Sequence, residues 1–98
     1  MDKGAVIEVL RKHEAELKAS GIVHLRLFGS LVRGEATPQS DVDLMADIDR
    51  SKRLTLVSMA YLENRLSDML EAKVDLSLAD SMKESVRARV VHEAIDAF

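Results

Sequence analysis

Three aspartates and one glycine–serine step are the residues of this chain best suited to chemistry. Asp41 and Asp43 stand two apart in the run Asp41-Val42-Asp43-Leu44. On a strand that spacing puts both carboxylates on one face. Asp75 lies near the start of a later alternating run, Lys73 to Leu78, on its non-apolar side. If the strands carrying these residues are parallel neighbours, all three carboxylates meet at one end of a sheet. Carboxylates crowded together repel one another unless cations sit between them. Hard oxygen donors favour Mg²⁺ or Mn²⁺, ions that commonly complete their coordination with substrate phosphates. Gly29-Ser30 directly follows another alternating run. A glycine lets backbone approach a ligand closely, and a helical turn starting near Ser30 would aim free N–H groups at an anion. The Ser30 hydroxyl adds a donor, and Arg33 and Arg26 are candidates for positive charge near a phosphate tail. A metal cluster beside an anion pocket is what nucleoside triphosphate chemistry requires: one ion activates the attacking hydroxyl and the other steadies the leaving pyrophosphate.

The elements that must position these residues can be read from hydrophobic spacing. Val6, Val9, Leu10 and Leu17 predict a first helix, stopped at Gly21. Val23, Leu25 and Leu27 alternate with more polar neighbours and predict a strand through Phe28. Between Gly29 and Ser40 lie two glycines, the only proline, Thr37 and two serines, which predict a loop with one helical turn. From Asp41 to Ile48, Val42, Leu44, Ala46 and Ile48 share one face, while Asp41, Asp43, Met45 and Asp47 share the other. Leu54 through Leu70 returns to helical spacing, with Val57, Ala60, Tyr61, Leu66, Met69 and Leu70 as the expected buried stripe. Val74, Leu76 and Leu78 predict a third strand. Ser81-Met82-Lys83-Glu84 fits a capping box opening a last helix, whose apolar side is Val86, Val90, Val91, Ala94, Ile95 and Phe98. The expected fold is α/β of the α+β kind: a three-stranded mixed sheet with helices packed mainly on one face. The short loop makes the first two strands antiparallel, and the long helix allows the second and third to run parallel.

With 98 residues, the chain is expected to form one domain spanning residues 1–98. The 47% apolar content suits a globular protein. A formal net charge of −3, from 14 Lys and Arg against 17 Asp and Glu, argues against bulk DNA binding. There is no cysteine, which removes disulfides and thiolate metal sites. No apolar run approaches membrane-spanning length and the N-terminus does not resemble a secretory signal, so a cytoplasmic location is expected. Phe28, Tyr61 and Phe98 are too few aromatics for a stacking platform on single-stranded nucleic acid. Tyr61 is expected to pack in its helix with its hydroxyl at the surface. His13, His24 and His92 lack metal-ligand spacing. Asp47 and Asp49 read as solvated strand-end residues, and Ser40 as a brace for the loop ahead of Asp41.

Taken together, Gly29-Ser30, Asp41-x-Asp43 and the later Asp75 resemble the signature of the polymerase-β-like nucleotidyltransferase superfamily. The stretch GSLVRGEATPQSDVDL is similar to the minimal nucleotidyltransferase (MNT) subfamily, many of whose members are antitoxin partners of HEPN ribonuclease toxins. The resemblance implies that Gly29 and Ser30 bind the triphosphate and that Asp41 and Asp43 bind two Mg²⁺ ions. It also implies that Asp75 binds the catalytic metal and accepts the proton of the attacking hydroxyl. Arg33 joins the nucleotide-binding set. The implied activity is transfer of AMP from ATP to a tyrosine hydroxyl of a HEPN toxin. The chain carries the catalytic core and little else, so a partner protein or a second copy is expected to complete the site. Two alternatives stay open: an antitoxin that neutralises by binding alone, and nucleotidyl transfer to RNA or a small molecule.

Overall fold

The computed structural model describes residues 2–52 and 54–98. Helix α1, Lys3–Lys12, opens on Asp2, whose side chain accepts from the Ala5 amide at 2.7 Å. It buries Val6, Ile7 and Leu10 on one side, and Arg11 and Lys12 fall in the last turn, where cations suit the helix dipole. Helix α2, Glu14–Ala19, continues after a break at His13 and buries Leu17. A single helix was expected here. The His13 amide is shared between the Val9 and Leu10 carbonyls, and its side chain bonds Val9 O at 3.0 Å, so the break is made by local hydrogen bonding, without Gly or Pro to announce it.

Strand β1, Ile22–Phe28, leads into a single helical turn, α3, Ser30–Arg33, as expected. Strand β2, Val42–Ile48, follows the loop, and the Thr37 amide donates to Ser40 Oγ at 2.9 Å within it. Helix α4, Leu56–Leu70, is capped by Thr55, which accepts from the Ser58 amide at 3.1 Å. Its buried residues are Leu62, Leu66 and Leu70. Of the expected stripe, Leu66 and Leu70 face the core and Met69 packs partly against it, whereas Val57 and Tyr61 are 80% and 63% exposed and Ala60 is also exposed. The helix carries adjoining apolar stripes, and only the one along Leu62, Leu66 and Leu70 lies over the sheet.

Strand β3, Val74–Leu78, is followed by a 3₁₀ turn, Ala79–Ser81, and helix α5, Glu84–Glu93. The expected capping box does not form: Ser81 belongs to the 3₁₀ turn, and α5 starts after Lys83 without a side-chain cap. Nor does the last helix run to Phe98. It ends at Glu93, and Ile95–Asp96 forms a fourth strand, β4. The reason is the unpaired edge of β1. Leu27 pairs with Ile95 and Arg26 with Asp96, and beyond them the Ala97 amide donates to Leu25 O at 2.8 Å. Paired backbone groups outweigh a weak helical pattern in which no residue becomes buried.

The sheet therefore has four strands rather than three, in the order β3-β2-β1-β4. As expected, β1 and β2 are antiparallel and β2 and β3 parallel. Leu25, Leu27, Val42, Leu44, Ala46 and Val74 meet Val6, Leu10, Leu17, Leu62 and Leu66 in one apolar core between the sheet and α1, α2 and α4. Asp43, Met45 and Asp47 alternate with this set and project from the opposite face. Among the described residues, no helix is long and apolar enough to cross a membrane.

Candidate active site

The turn that ends β1 is built around Gly29. Its φ of +84° with ψ of −155° is a conformation open in practice to glycine alone. A Cβ built there would run into Asp43 Oδ2 and lie 2.9 Å from Asp43 Cγ. The glycine and the carboxylate are thus packed directly against each other, because Phe28 and Asp43 are partners in the antiparallel ladder. Across β2 on the other side, Asp43 is level with Asp75 in the parallel ladder. Registered neighbours present their side chains on the same face, so one backbone arrangement sets Gly29, Asp43 and Asp75 side by side. Asp41 precedes β2 directly, where the Val42 amide donates to Lys73 O at 2.8 Å and ties the start of β2 to that of β3.

The electrostatics agree with this proximity. The Asp43 carboxyl is held above its usual range, first by partial burial and then by the charges of Asp75, Asp41 and Glu93, with Arg33 opposing. The carboxylates share one end of the sheet without closing into a cage: among the described residues, no three acidic or histidine side chains are gathered tightly enough to enclose an ion. An all-oxygen donor set with net negative charge suits a hard divalent cation, and Mg²⁺ sites ordinarily leave part of the coordination to water and phosphate. Beside Asp41 a cleft of about 360 Å³ opens between Leu31, Pro38, Ser40, Val42 and Ala72.

Ser30 opens α3 immediately after Gly29. Arg33, one turn on, is bound by Glu35 through Nε at 3.0 Å and by Glu93 through Nη1 at 2.8 Å. Glu93 Oε1 also accepts from the Gly29 amide at 3.0 Å. Nothing in the sequence pointed to Glu93; a lone acid near the end of an apolar pattern carries no spacing signal, and only the turn from α5 into β4 delivers it here. Arg26, a candidate for the phosphate tail, is instead taken up by Asp47 at 3.1 Å and Asp96 at 3.5 Å, with His24 alongside. Asp49 accepts from the Ser51 amide and hydroxyl, bonds that hold its carboxyl below the usual range and close the turn after β2.

The nucleotidyltransferase domain model matches residues 10–97, nearly the whole chain. The chain belongs to that family. The nucleotidyltransferase is 39% identical over 87 residues to a Methanocaldococcus jannaschii protein provisionally assigned as a protein adenylyltransferase, covering 88% of this chain and 87% of the relative. It is 34% identical over 88 residues to protein adenylyltransferase MntA of Thermococcus cleftensis, covering 89% and 87%. A solved structure provisionally assigned as a minimal nucleotidyltransferase matches with 35% identity and a TM-score of 0.74, over 97% of this nucleotidyltransferase and 95% of that chain. The fold also matches, with 18% identity and a TM-score of 0.66, over 94% and 71% of the chains, a structure described as a tri-AMPylated Shewanella oneidensis HEPN toxin in complex with MNT antitoxin.

Proposed function

We propose that this nucleotidyltransferase transfers AMP from ATP to a hydroxyl of a partner protein, a tyrosine of a HEPN-type toxin, and so acts as its antitoxin. The observation that carries the reading is the register that sets Asp43 level with Asp75 and against the Gly29 turn. Support for the acceptor class comes from the adenylyltransferase relatives and the HEPN complex of the same fold. In this reading Gly29, Ser30 and Arg33 would hold the triphosphate, and Asp41, Asp43 and Asp75 would hold a pair of Mg²⁺ or Mn²⁺ ions. When bound, the ions supply charge neutralisation at the phosphates and lower the cost of ionising the acceptor hydroxyl. Asp75 accepts the hydroxyl proton at its carboxylate as the acceptor oxygen bonds to the α-phosphorus. The bond from the α-phosphorus to the bridging oxygen breaks, and pyrophosphate leaves. Arg33 and the Ser30 hydroxyl would meet the charge that grows on the departing group.

The test is incubation with Mg²⁺, α-labelled ATP, a HEPN-type partner and RNA together. Label is expected on the partner protein and absent with Asp41→Asn/Asp43→Asn. Label on RNA alone, or on nothing, contradicts the proposal. A second reading, neutralisation by binding alone, is favoured by one feature: Leu56, Val57 and Tyr61 on α4 leave apolar surface that the core does not use. Full neutralisation of the partner by the double Asn variant would favour that reading; loss of neutralisation together with labelling favours transfer.

A further inference from the structure

Glu93 hydrogen-bonds both Arg33 and the backbone of the Gly29 turn. A single oxygen, Oε1, accepts from the Gly29 amide at 3.0 Å and from Arg33 Nη1 at 2.8 Å. Its position is costly on every local ground. It stands in the last turn of α5, where a carboxylate opposes the helix dipole. It adds negative charge beside Asp43. It also adds negative charge where a triphosphate is proposed to lie. A carboxylate placed against local preference is a sign that a tertiary role has overridden it.

What the side chain achieves is order. An arginine head on a free side chain loses much of its rotamer freedom when it is fixed. Here Glu35 takes the Nε hydrogen and Glu93 takes an Nη1 hydrogen, so the planar fork is held from two directions. Among the described residues, the Arg33 Nη2 donors and the second Nη1 hydrogen meet no acceptor and can serve another one. Glu93 itself is anchored by the chain that follows it: Ile95 pairs with Leu27 in β1, two residues before Gly29. The end of β1, the glycine turn, Arg33 and the end of α5 form one hydrogen-bonded unit.

We propose that Glu93 is a positioning residue for nucleotide binding, presenting Arg33 and the Gly29 turn to the triphosphate in a fixed arrangement. The inference rests on the proposed phosphate role of Gly29, Ser30 and Arg33. Binding of a non-transferable ATP analogue with Mg²⁺, measured by calorimetry, and steady-state labelling of the partner protein test it together. Glu93→Ala should weaken analogue binding and raise the KM for ATP by about tenfold, with a smaller fall in kcat, because the charge-assisted hydrogen bonds that hold Arg33 and the Gly29 turn in place are lost. Glu93→Gln, which keeps an acceptor in place, should recover most of the affinity. In a cycle with Arg33→Ala, removing Glu93 as well should add little. If Glu93→Ala melts below the assay temperature, Glu93→Asp, which draws the carboxylate back by one methylene, should show the same rise in KM. Equal or tighter analogue binding by the Ala variant overturns the inference and makes Glu93 a competitor of the phosphates. Unchanged binding by Arg33→Ala overturns the phosphate assignment beneath it.

Discussion

Asp43 shows at a single residue how a functional arrangement opposes stability. Its carboxyl is partly buried against Gly29 and faces the charges of Asp75, Asp41 and Glu93, so its proton is held more tightly in the folded chain than in the unfolded one. For an acid shifted upward, the cost to folding is complete above the raised folded value and absent below the ordinary carboxylate value. Asp43→Asn should therefore raise the melting temperature at neutral pH in a metal-free buffer by a few degrees. The gain stays small because water screens the charges around a carboxyl that is only partly buried. The gap between variant and parent should narrow as the pH is lowered into the carboxylate range, and thermal melts across pH check both statements. Gly29 makes the opposite case. Gly29→Ala forces a Cβ into Asp43 at a positive φ, and should cost about 1–3 kcal/mol and abolish transfer, read by denaturant unfolding and by labelling. Both residues were legible in the sequence, because glycine before a helical turn and aspartates two apart on a strand each have a chemical reason. Glu93 was not, since its contact spans the ladder between β1 and β4.

Among the elements, β3 matters most, because it is an edge strand and carries Asp75. Helix α4 holds it from the side. Ser67 Oγ accepts from the Val74 amide at 3.2 Å and Glu63 Oε2 from the Leu76 amide at 3.1 Å, so the amides on either side of Asp75 are satisfied by helix side chains. Glu63→Ala should leave the Leu76 amide unpaired, destabilise the chain by about 1 kcal/mol, and speed hydrogen exchange at Leu76 more than at residues of β1. Exchange rates unchanged along β3 would show that α4 does not hold the strand. The strands β1, β2 and β3 were legible because one buried face makes apolar and polar residues alternate along most of each run, although Val23 is exposed beside a bulge and Met45 is buried on the opposite face. The end of the chain was not. Val90, Val91, Ala94 and Ile95 fit a helical period, but Ile95 and Ala97 also fit a strand, and the choice was made by the free edge of β1. On α4, Leu66 and Leu70 were read correctly and Leu62 was missed for a related reason: periodicity finds apolar stripes, and only the packed sheet selects among them.

At the scale of the whole molecule, the core lies on one face of the sheet and the acids gather at one end of the other. These acids lie outside the apolar core, so they can be replaced without disturbing it. Asp41→Asn/Asp43→Asn should fold, keep the melting temperature of the parent or exceed it, and lose transfer. The resemblance read from residues 29 to 44 and the match over residues 10–97 point to the same family. The most direct measurement is the intact mass of a HEPN-type partner after incubation with ATP and Mg²⁺. The account predicts that the partner gains whole AMP units with the parent chain and none with the double Asn variant. A partner modified equally by both, or by neither, would contradict the claim that these carboxylates and the Gly29 turn form the site of transfer.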